Sequence, residues 1–127
     1  MQPNKLNEIF LQTENTCFCL KQPYLQYYDL FYEMEIMDKA TVEMSQEHVD
    51  QICLLNELID KLKSNKQEEI MKQHKKLKTF DKETIMNLYR MWSSAKYFQL
   101  KECTEYLKQA LILFFNKDEF QLNNILL

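Results

Sequence analysis

Cysteine and histidine are the residue types in this 127-residue chain that could bind a metal ion or act as nucleophile and base. They are Cys17, Cys19, Cys53, Cys103, His48 and His74. A structural zinc site needs four such ligands at short, regular spacings, and only Cys17 and Cys19 lie close together. Since these two alternate on a predicted strand, they point to the same face. The pattern favours buried free thiols, with no metal and no cofactor.

The acids and histidines show no spacing typical of catalysis. An active site needs a nucleophile or an acid–base pair held in a pocket. His48 falls in the first turn of a predicted helix, and His74 falls in a lysine-rich stretch. The chain also contains no glycine, which excludes the glycine-rich loops that hold phosphates and dinucleotides. We therefore expect no catalytic residues and a protein that is not an enzyme, with Asn and Asp at its tight turns.

The net charge of -3 does not favour binding to nucleic acid, which calls for a basic surface. Residues 63–79 are a local exception, with six lysines and two glutamates and a balance of +4. Such a run is typical of an exposed linker, and a docking patch for an acidic partner stays open as an alternative. No window approaches the roughly 18 apolar residues of a membrane span, and no signal peptide is evident. We expect a cytoplasmic or nuclear protein that binds neither nucleic acid nor membrane.

Hydrophobic periodicity predicts the elements that position these residues. Two short apolar runs at 9–13 and 17–20, separated by turn-forming residues, predict an opening hairpin. A helix over 24–34 and a third strand at 41–44 follow. Ser45 then has the side chain of an N-cap for a helix whose apolar stripe runs over 49–62.

Two amphipathic helices are predicted after the lysine-rich stretch, joined by a corner at 96–101. The first is expected to be capped by Asp81, with Phe80 and Ile85 as a hydrophobic staple. It carries Ser93, Ser94 and Ala95 between large apolar side chains, an arrangement suited to close packing. A final short helix is predicted through 120–126.

Residues 111–115 are five large apolar side chains in a row, and one helix cannot turn all of them toward its own core. Two alternatives stay open. The last short helix could fold back over them, or they could line an exposed groove for a partner's helix. The expected groove residues are Leu107, Leu111, Phe114, Phe115, Phe120 and Ile125.

The corner between the two helices carries a family resemblance. Its sequence Ser94-Ala95-Lys96-Tyr97-Phe98-Gln99-Leu100-Lys101 resembles the Ala-Ala-Asn-Tyr-Leu-Asp-Ile-Lys signature of the S-phase-kinase-associated F-box adaptor and elongin C family. Ala95, Tyr97 and Lys101 are identical to the signature, while Lys96 stands where the family has asparagine. These are small BTB/POZ-fold proteins that bridge cullins to substrate receptors. The order of the predicted elements is similar to theirs over most of the chain.

The resemblance implies an α+β fold: a BTB/POZ-like domain with a small three-stranded sheet flanked by helices and a C-terminal helical extension. The expected single domain has a core at 5–62, a linker at 63–79 and helices at 80–127. The implied function is a non-catalytic adaptor in a ubiquitin ligase complex, with a cullin-like interface at Lys96 and Tyr97 and an F-box-like receptor helix in the groove.

A structural BTB-like subunit, permanently embedded in a larger assembly without a ubiquitin-ligase role, is the alternative. It is favoured by Lys96 and by the missing acidic and aromatic tail of the F-box adaptors. A self-associating dimer is a third hypothesis, which is disfavoured because the chain begins almost directly at its first strand.

Overall fold

A three-stranded mixed sheet is formed by the first part of the chain. The computed structural model describes residues 5–64 and 82–118, with side chains as far as residue 113 in the last helix. Strand β1 (Glu8–Gln12) lies in the middle, antiparallel to β2 (Cys17–Lys21) and parallel to β3 (Thr41–Glu43). Both the predicted hairpin and the predicted third strand are confirmed.

The hairpin turn is held by Thr13. Its hydroxyl accepts hydrogen bonds from the backbone N–H groups of Asn15 (3.3 Å) and Thr16 (2.9 Å). The same hydroxyl donates to the side-chain carbonyl of Gln46, which ties the turn to the helix that follows β3. Ile9 and Leu11 of β1 are fully buried, because alternate residues of a strand point to one face and that face meets the helices.

The connection from β2 to β3 differs from the predicted helix over 24–34. It consists of a 3₁₀ turn (Leu25–Tyr27) and a short helix α1 (Asp29–Glu33), and Tyr28 between them is not helical, at φ -87° and ψ 80°. Leu25, Tyr28 and Phe31 are all completely buried. Their spacing of three residues matches the period of a 3₁₀ helix better than that of an α-helix, so burying all three breaks the helix.

The loop from α1 to β3 is anchored to β1 by Asp38. The Asp38 carboxylate accepts hydrogen bonds from the backbone N–H groups of Asn7 (2.7 Å) and Glu8 (3.1 Å). Glu35 and Lys39 in this loop have left-handed backbones, at φ 56° and 65°. The expectation that Asn and Asp would take such positions is wrong here, because the loop is fixed by its long-range hydrogen bonds and not by local preference.

Helices α2 (Gln46–Val49) and α3 (Ile52–Lys63) replace the single helix predicted to follow Ser45. Ser45 has the extended backbone of an N-cap, but its side chain makes no capping hydrogen bond, contrary to prediction. The apolar stripe itself is confirmed. Its completely or almost completely buried members are Val49, Ile52, Leu55 and Ile59, and Leu62 is partly buried against the core.

Helices α4 (Lys82–Phe98) and α5 (Lys101–Asp118) form the predicted helix pair. The corner between them is closed by a left-handed Gln99, at φ 60°, and by a hydrogen bond of 2.9 Å from the N–H of Leu100 to the carbonyl of Ala95. This is the Schellman termination of a helix, with glutamine in the place usually taken by glycine. The predicted staple, cap and final short helix fall on residues 80, 81 and 119–127, outside the described residues. In the two described ranges no helix is apolar and long enough to cross a membrane.

An aromatic cluster joins the sheet half of the molecule to the helix pair. Tyr28 and Phe31 contact Phe98 at ring-centroid distances of 5.2 Å and 5.9 Å. The Tyr28 hydroxyl donates a hydrogen bond of 2.7 Å to the side-chain carbonyl of Asn56 on α3. Buried residues from before and after the lysine-rich stretch therefore form one hydrophobic core.

Candidate functional site

Two of the six residues predicted to line the receptor groove are buried in the core. Leu107 is 1% exposed and Leu111 is 0% exposed, and both belong to the hydrophobic core. They are buried because α5 packs this stripe against α4 and α3, so the prediction that these two residues are exposed is wrong. The remaining groove residues, Phe114, Phe115, Phe120 and Ile125, have side chains outside the described part of the chain.

The predicted interface at the helix corner is on the surface. Tyr97 is 44% exposed and Lys96 is also exposed, whereas the adjacent Phe98 is completely buried. The Tyr97 ring stacks on the imidazole of His48, with ring centroids 4.2 Å apart and planes 7° from parallel. The tyrosine is thus held in one orientation while one of its faces stays open to a partner. We call His48, Ser94, Lys96 and Tyr97 the Tyr97 corner.

His48 is the residue of this corner that sequence reasoning missed. It shares a hydrogen bond of 2.8 Å with the hydroxyl of Ser94, which lies 46 positions away in the sequence. Burial lowers the pKa of His48, and the neighbouring Glu47 carboxylate acts in the opposite direction. The imidazole is therefore neutral at neutral pH and packs as an aromatic ring. No spacing in the sequence could reveal this contact, because it joins α2 to α4.

The His48–Ser94 pair has the composition of a nucleophile and its base, but its surroundings do not suit acyl transfer. Ser94 is only 1% exposed, so a substrate cannot reach its hydroxyl. Burial of Ser94 and Ala95 instead confirms the close packing expected from small residues in α4. The pair serves to fix α2 on α4 beneath Tyr97.

Lys96 is placed over an aromatic ring. Its ammonium nitrogen lies 5.2 Å from the centroid of Trp92, within the range of a cation–π contact. The indole Nε1 of Trp92 is buried and has no hydrogen-bond partner among the described residues. The Lys96 ammonium group therefore lies against the surface of its own helix, and Tyr97 is the next residue in the sequence.

A cleft of about 200 Å³ opens beside the start of α5. It is lined by Gln26, Tyr27, Asp29, Ile59, Leu62, Lys63, Leu100, Lys101, Glu102 and Cys103. Its rim is charged. The Lys101 Nζ lies 3.9 Å from Asp29 Oδ2, and the Lys63 Nζ lies 5.5 Å from the centroid of the Tyr27 ring. An apolar side chain with flanking polar groups would fit this lining.

The cysteines are less buried than predicted. Cys103 is buried, Cys19 is half-buried, and Cys17 and Cys53 are exposed. Cys17 and Cys19 do share the outer face of β2, as the alternation predicted, but that face is turned away from the core. In the described ranges no group of three or more histidines, cysteines and acids is arranged to hold a metal ion.

Comparison with protein-family models, with curated proteins and with solved structures finds no match to this chain. The description of the chain therefore comes from its own structure. It is an α+β fold in which a three-stranded mixed sheet is followed by helices, and an exposed tyrosine at the helix corner is stacked on a histidine.

Proposed function

We propose that this chain is a non-catalytic adaptor with a BTB/POZ-like fold, which bridges a cullin-like scaffold to a helical receptor motif. The proposal rests on the resemblance of the corner sequence to the F-box adaptor family. The observed element order supports it: a hairpin, a helix, a third strand, a further helical segment and a helix pair follow one another in the order that the resemblance implies.

The observation that carries the proposal is that Tyr97 is exposed and is also held in place by its stacking on His48. A surface tyrosine held by a stacking partner loses little conformational freedom when a partner covers it, and tyrosine is enriched among residues that dominate binding energy. Tyr97 is 44% exposed and stacked on His48. It also occupies the tyrosine position of the resembled signature, where the scaffold interface is expected.

As part of this proposal the receptor helix binds in the cleft beside α5, because Leu107 and Leu111 are buried and cannot meet it. The floor of the cleft includes Leu100, Ile59 and Cys103, and its rim carries the Lys101–Asp29 pair. An apolar anchor of a receptor helix would enter between these side chains, with polar residues of the same helix meeting the charged rim.

Affinity purification from a native extract tests the scaffold interface. Tyr97→Ala is expected to lose the scaffold while retaining the fold, because the side chain is half-exposed. Met37→Ala is the matched control, since Met37 is a large apolar residue that is 79% exposed in a different loop. Equal recovery of every partner by both variants would contradict the proposed interface.

A structural subunit of a fixed assembly is the second candidate, and Lys96 favours it. Lys96 stands where the resembled signature has asparagine, and its position over Trp92 places a cation at the corner. The same purification separates the two candidates. Recovery of a cullin with several F-box-type receptors supports the adaptor, whereas an invariant set of subunits without a cullin supports the structural role.

A further inference from the structure

The outward side of α4 carries a straight line of exposed and half-buried residues, two of them large and apolar, that no described element covers. Met86 is 41% exposed and Tyr97 is 44% exposed, while Ser93 between them is half-buried. At 3.6 residues per turn these three positions lie almost in line, and Met86 and Tyr97 are three turns, or about 16 Å, apart. We call Met86, Ser93 and Tyr97 the α4 stripe.

The α4 stripe has the shape of a helix-docking seam. Two large side chains stand at its ends, and the small Ser93 between them leaves room for another helix to approach closely. The neighbouring small residues, Ser94 and Ala95, are already used inside the molecule at 1% and 0% exposure. Ser93 is thus the small residue of this group that remains available to a partner.

Cations flank the α4 stripe on both sides. Helical periodicity places Arg90 on one side of the line and Lys96 on the other. Among the described residues neither has a carboxylate within ion-pair distance: Arg90 meets the side-chain carbonyl of Asn87 at 3.4 Å, and Lys96 lies over Trp92. Helix α4 carries three cations and one acid, a balance of +2, in a chain whose net charge is -3.

From this geometry we infer that the α4 stripe docks an amphipathic helix whose apolar face is flanked by acidic residues. The inference rests on the proposed function, because it gives the chemistry of the partner that meets Tyr97. Apolar side chains of the partner would pack beside Met86 and Tyr97, its backbone would cross at Ser93, and its carboxylates would pair with Arg90 and Lys96. A nucleic acid is disfavoured, since the whole chain carries a net charge of -3.

Selection from a displayed library of randomised 16-residue helical peptides tests the inference on the full-length chain. The expected winners carry net negative charge and apolar residues at positions i, i+4 and i+7. The best peptide is then titrated while the fluorescence of Trp92 is followed, because this ring is the one tryptophan of the chain and lies under the Lys96 ammonium group. Affinity is expected to fall at least tenfold in the double variant Arg90→Glu, Lys96→Glu, and again in Ser93→Leu, which fills the crossing point.

Lys61→Glu on α3 is the matched control for charge, since Lys61 is exposed and lies outside α4. Circular dichroism checks that each variant folds. Selection of basic or uncharged peptides, no selection at all, binding that ignores the α4 substitutions, or tighter binding of a 20-nucleotide single strand than of any peptide would each overturn the inference. The proposed function stands or falls separately, by whether Tyr97→Ala loses a native partner in the purification.

Discussion

Tyr97 and Phe98 are adjacent aromatic residues with opposite environments. Phe98 is completely buried against Tyr28 and Phe31, whereas Tyr97 rests on His48 with 44% of its surface exposed. The resemblance at the corner predicts an interface at Tyr97, which stays a prediction, and the exposure of Tyr97 leaves the side chain accessible to a partner. The stack on His48 was not predictable, because it depends on how α2 meets α4.

Leu111 shows how burial limits which α5 residues could meet a partner. Because Leu111 is 0% exposed, Leu111→Ala is expected to lower the free energy of unfolding by about 2–5 kcal/mol. Leu111→Asp is expected to unfold the chain, where an exposed groove would have left it folded. Urea denaturation measures both, with Leu54→Ala as control because Leu54 is 45% exposed. A Leu111→Ala loss no larger than that of the control would show that the side chain is not part of the core.

The four thiols are expected to react with a disulfide reagent in the order of their exposure. Burial, with a smaller contribution from Glu102, raises the pKa of Cys103 to about 12, so this thiol stays protonated at pH 8. Burial and then Glu8 raise the pKa of Cys19. Cys17 and Cys53 are exposed.

The absorbance of the thiolate that the reagent releases at pH 8 should show fast reaction of Cys17 and Cys53 and slow reaction of Cys19. Reaction of Cys103 should require denaturant. Because the pKa of Cys103 is higher in the folded chain, the free energy of unfolding includes a contribution that is fully kept below about pH 9. That contribution is expected to decline as the pH rises from about 9 toward 12, because the unfolded thiol ionises first. Fast reaction of all four thiols in the native state would contradict the burial of Cys103.

At the scale of elements, the strands and the amphipathic helices could be predicted because their periods of 2 and 3.6 are written in the sequence. The breaks in the helices and the path of the loops could not be predicted. The break at Tyr28 follows from burying three residues at a spacing of three, and the anchor of the β3 loop is a carboxylate that reaches Asn7 from 31 positions away. Left-handed Glu35 and Lys39 occur in a loop that long-range hydrogen bonds tie to β1, whereas left-handed Gln99 belongs to a local helix termination that usually takes glycine.

Asp38 is expected to control how firmly β3 pairs with β1. Hydrogen bonds from the backbone of Asn7 and Glu8 lower the pKa of Asp38, because they favour the charged carboxylate. Its stabilising contribution is therefore present at neutral pH and is lost as the pH falls below about 4. In Asp38→Ala the amide of Phe10, which donates to the carbonyl of Ala40 at 2.9 Å, should exchange its hydrogen faster.

The control for this exchange experiment is the amide of Leu55, which lies in α3 and bonds to the carbonyl of Gln51. Its exchange rate should change little in Asp38→Ala. Equal acceleration at Phe10 and Leu55 would indicate global destabilisation and not a loosened strand.

At the scale of the whole molecule, charge is distributed unevenly. Residues 1–62 carry a balance of -7, whereas residues 63–98 carry +5. The sequence showed the basic stretch, but it could not show that Arg90 and Lys96 flank the α4 stripe, because exposure depends on which side of α4 meets the core. An acidic partner would therefore be attracted to residues 63–98, within which α4 carries a balance of +2.

Salt is therefore expected to weaken any complex formed at α4. Raising the ionic strength from about 0.05 M to 0.5 M shortens the screening length severalfold, so association with an acidic partner should slow. Stopped-flow fluorescence of Trp92 measures the rate, and an acidic partner that associates equally fast at both ionic strengths would contradict electrostatic attraction.

The meeting of Tyr28 and Phe31 with Phe98 has a consequence for the integrity of the chain. These rings come from opposite sides of residues 65–81, yet they share one core. Two polypeptides, 1–64 and 82–127, should therefore fail to fold singly and reconstitute the native structure when mixed, because each supplies the apolar surface that the other lacks. Such fragment complementation, followed by the circular dichroism of the mixture, should be abolished by Phe98→Ala, whereas Met86→Ala should leave it intact. The continuity of the backbone would then be dispensable, and the two segments would behave as an obligate heterodimer produced from a single gene.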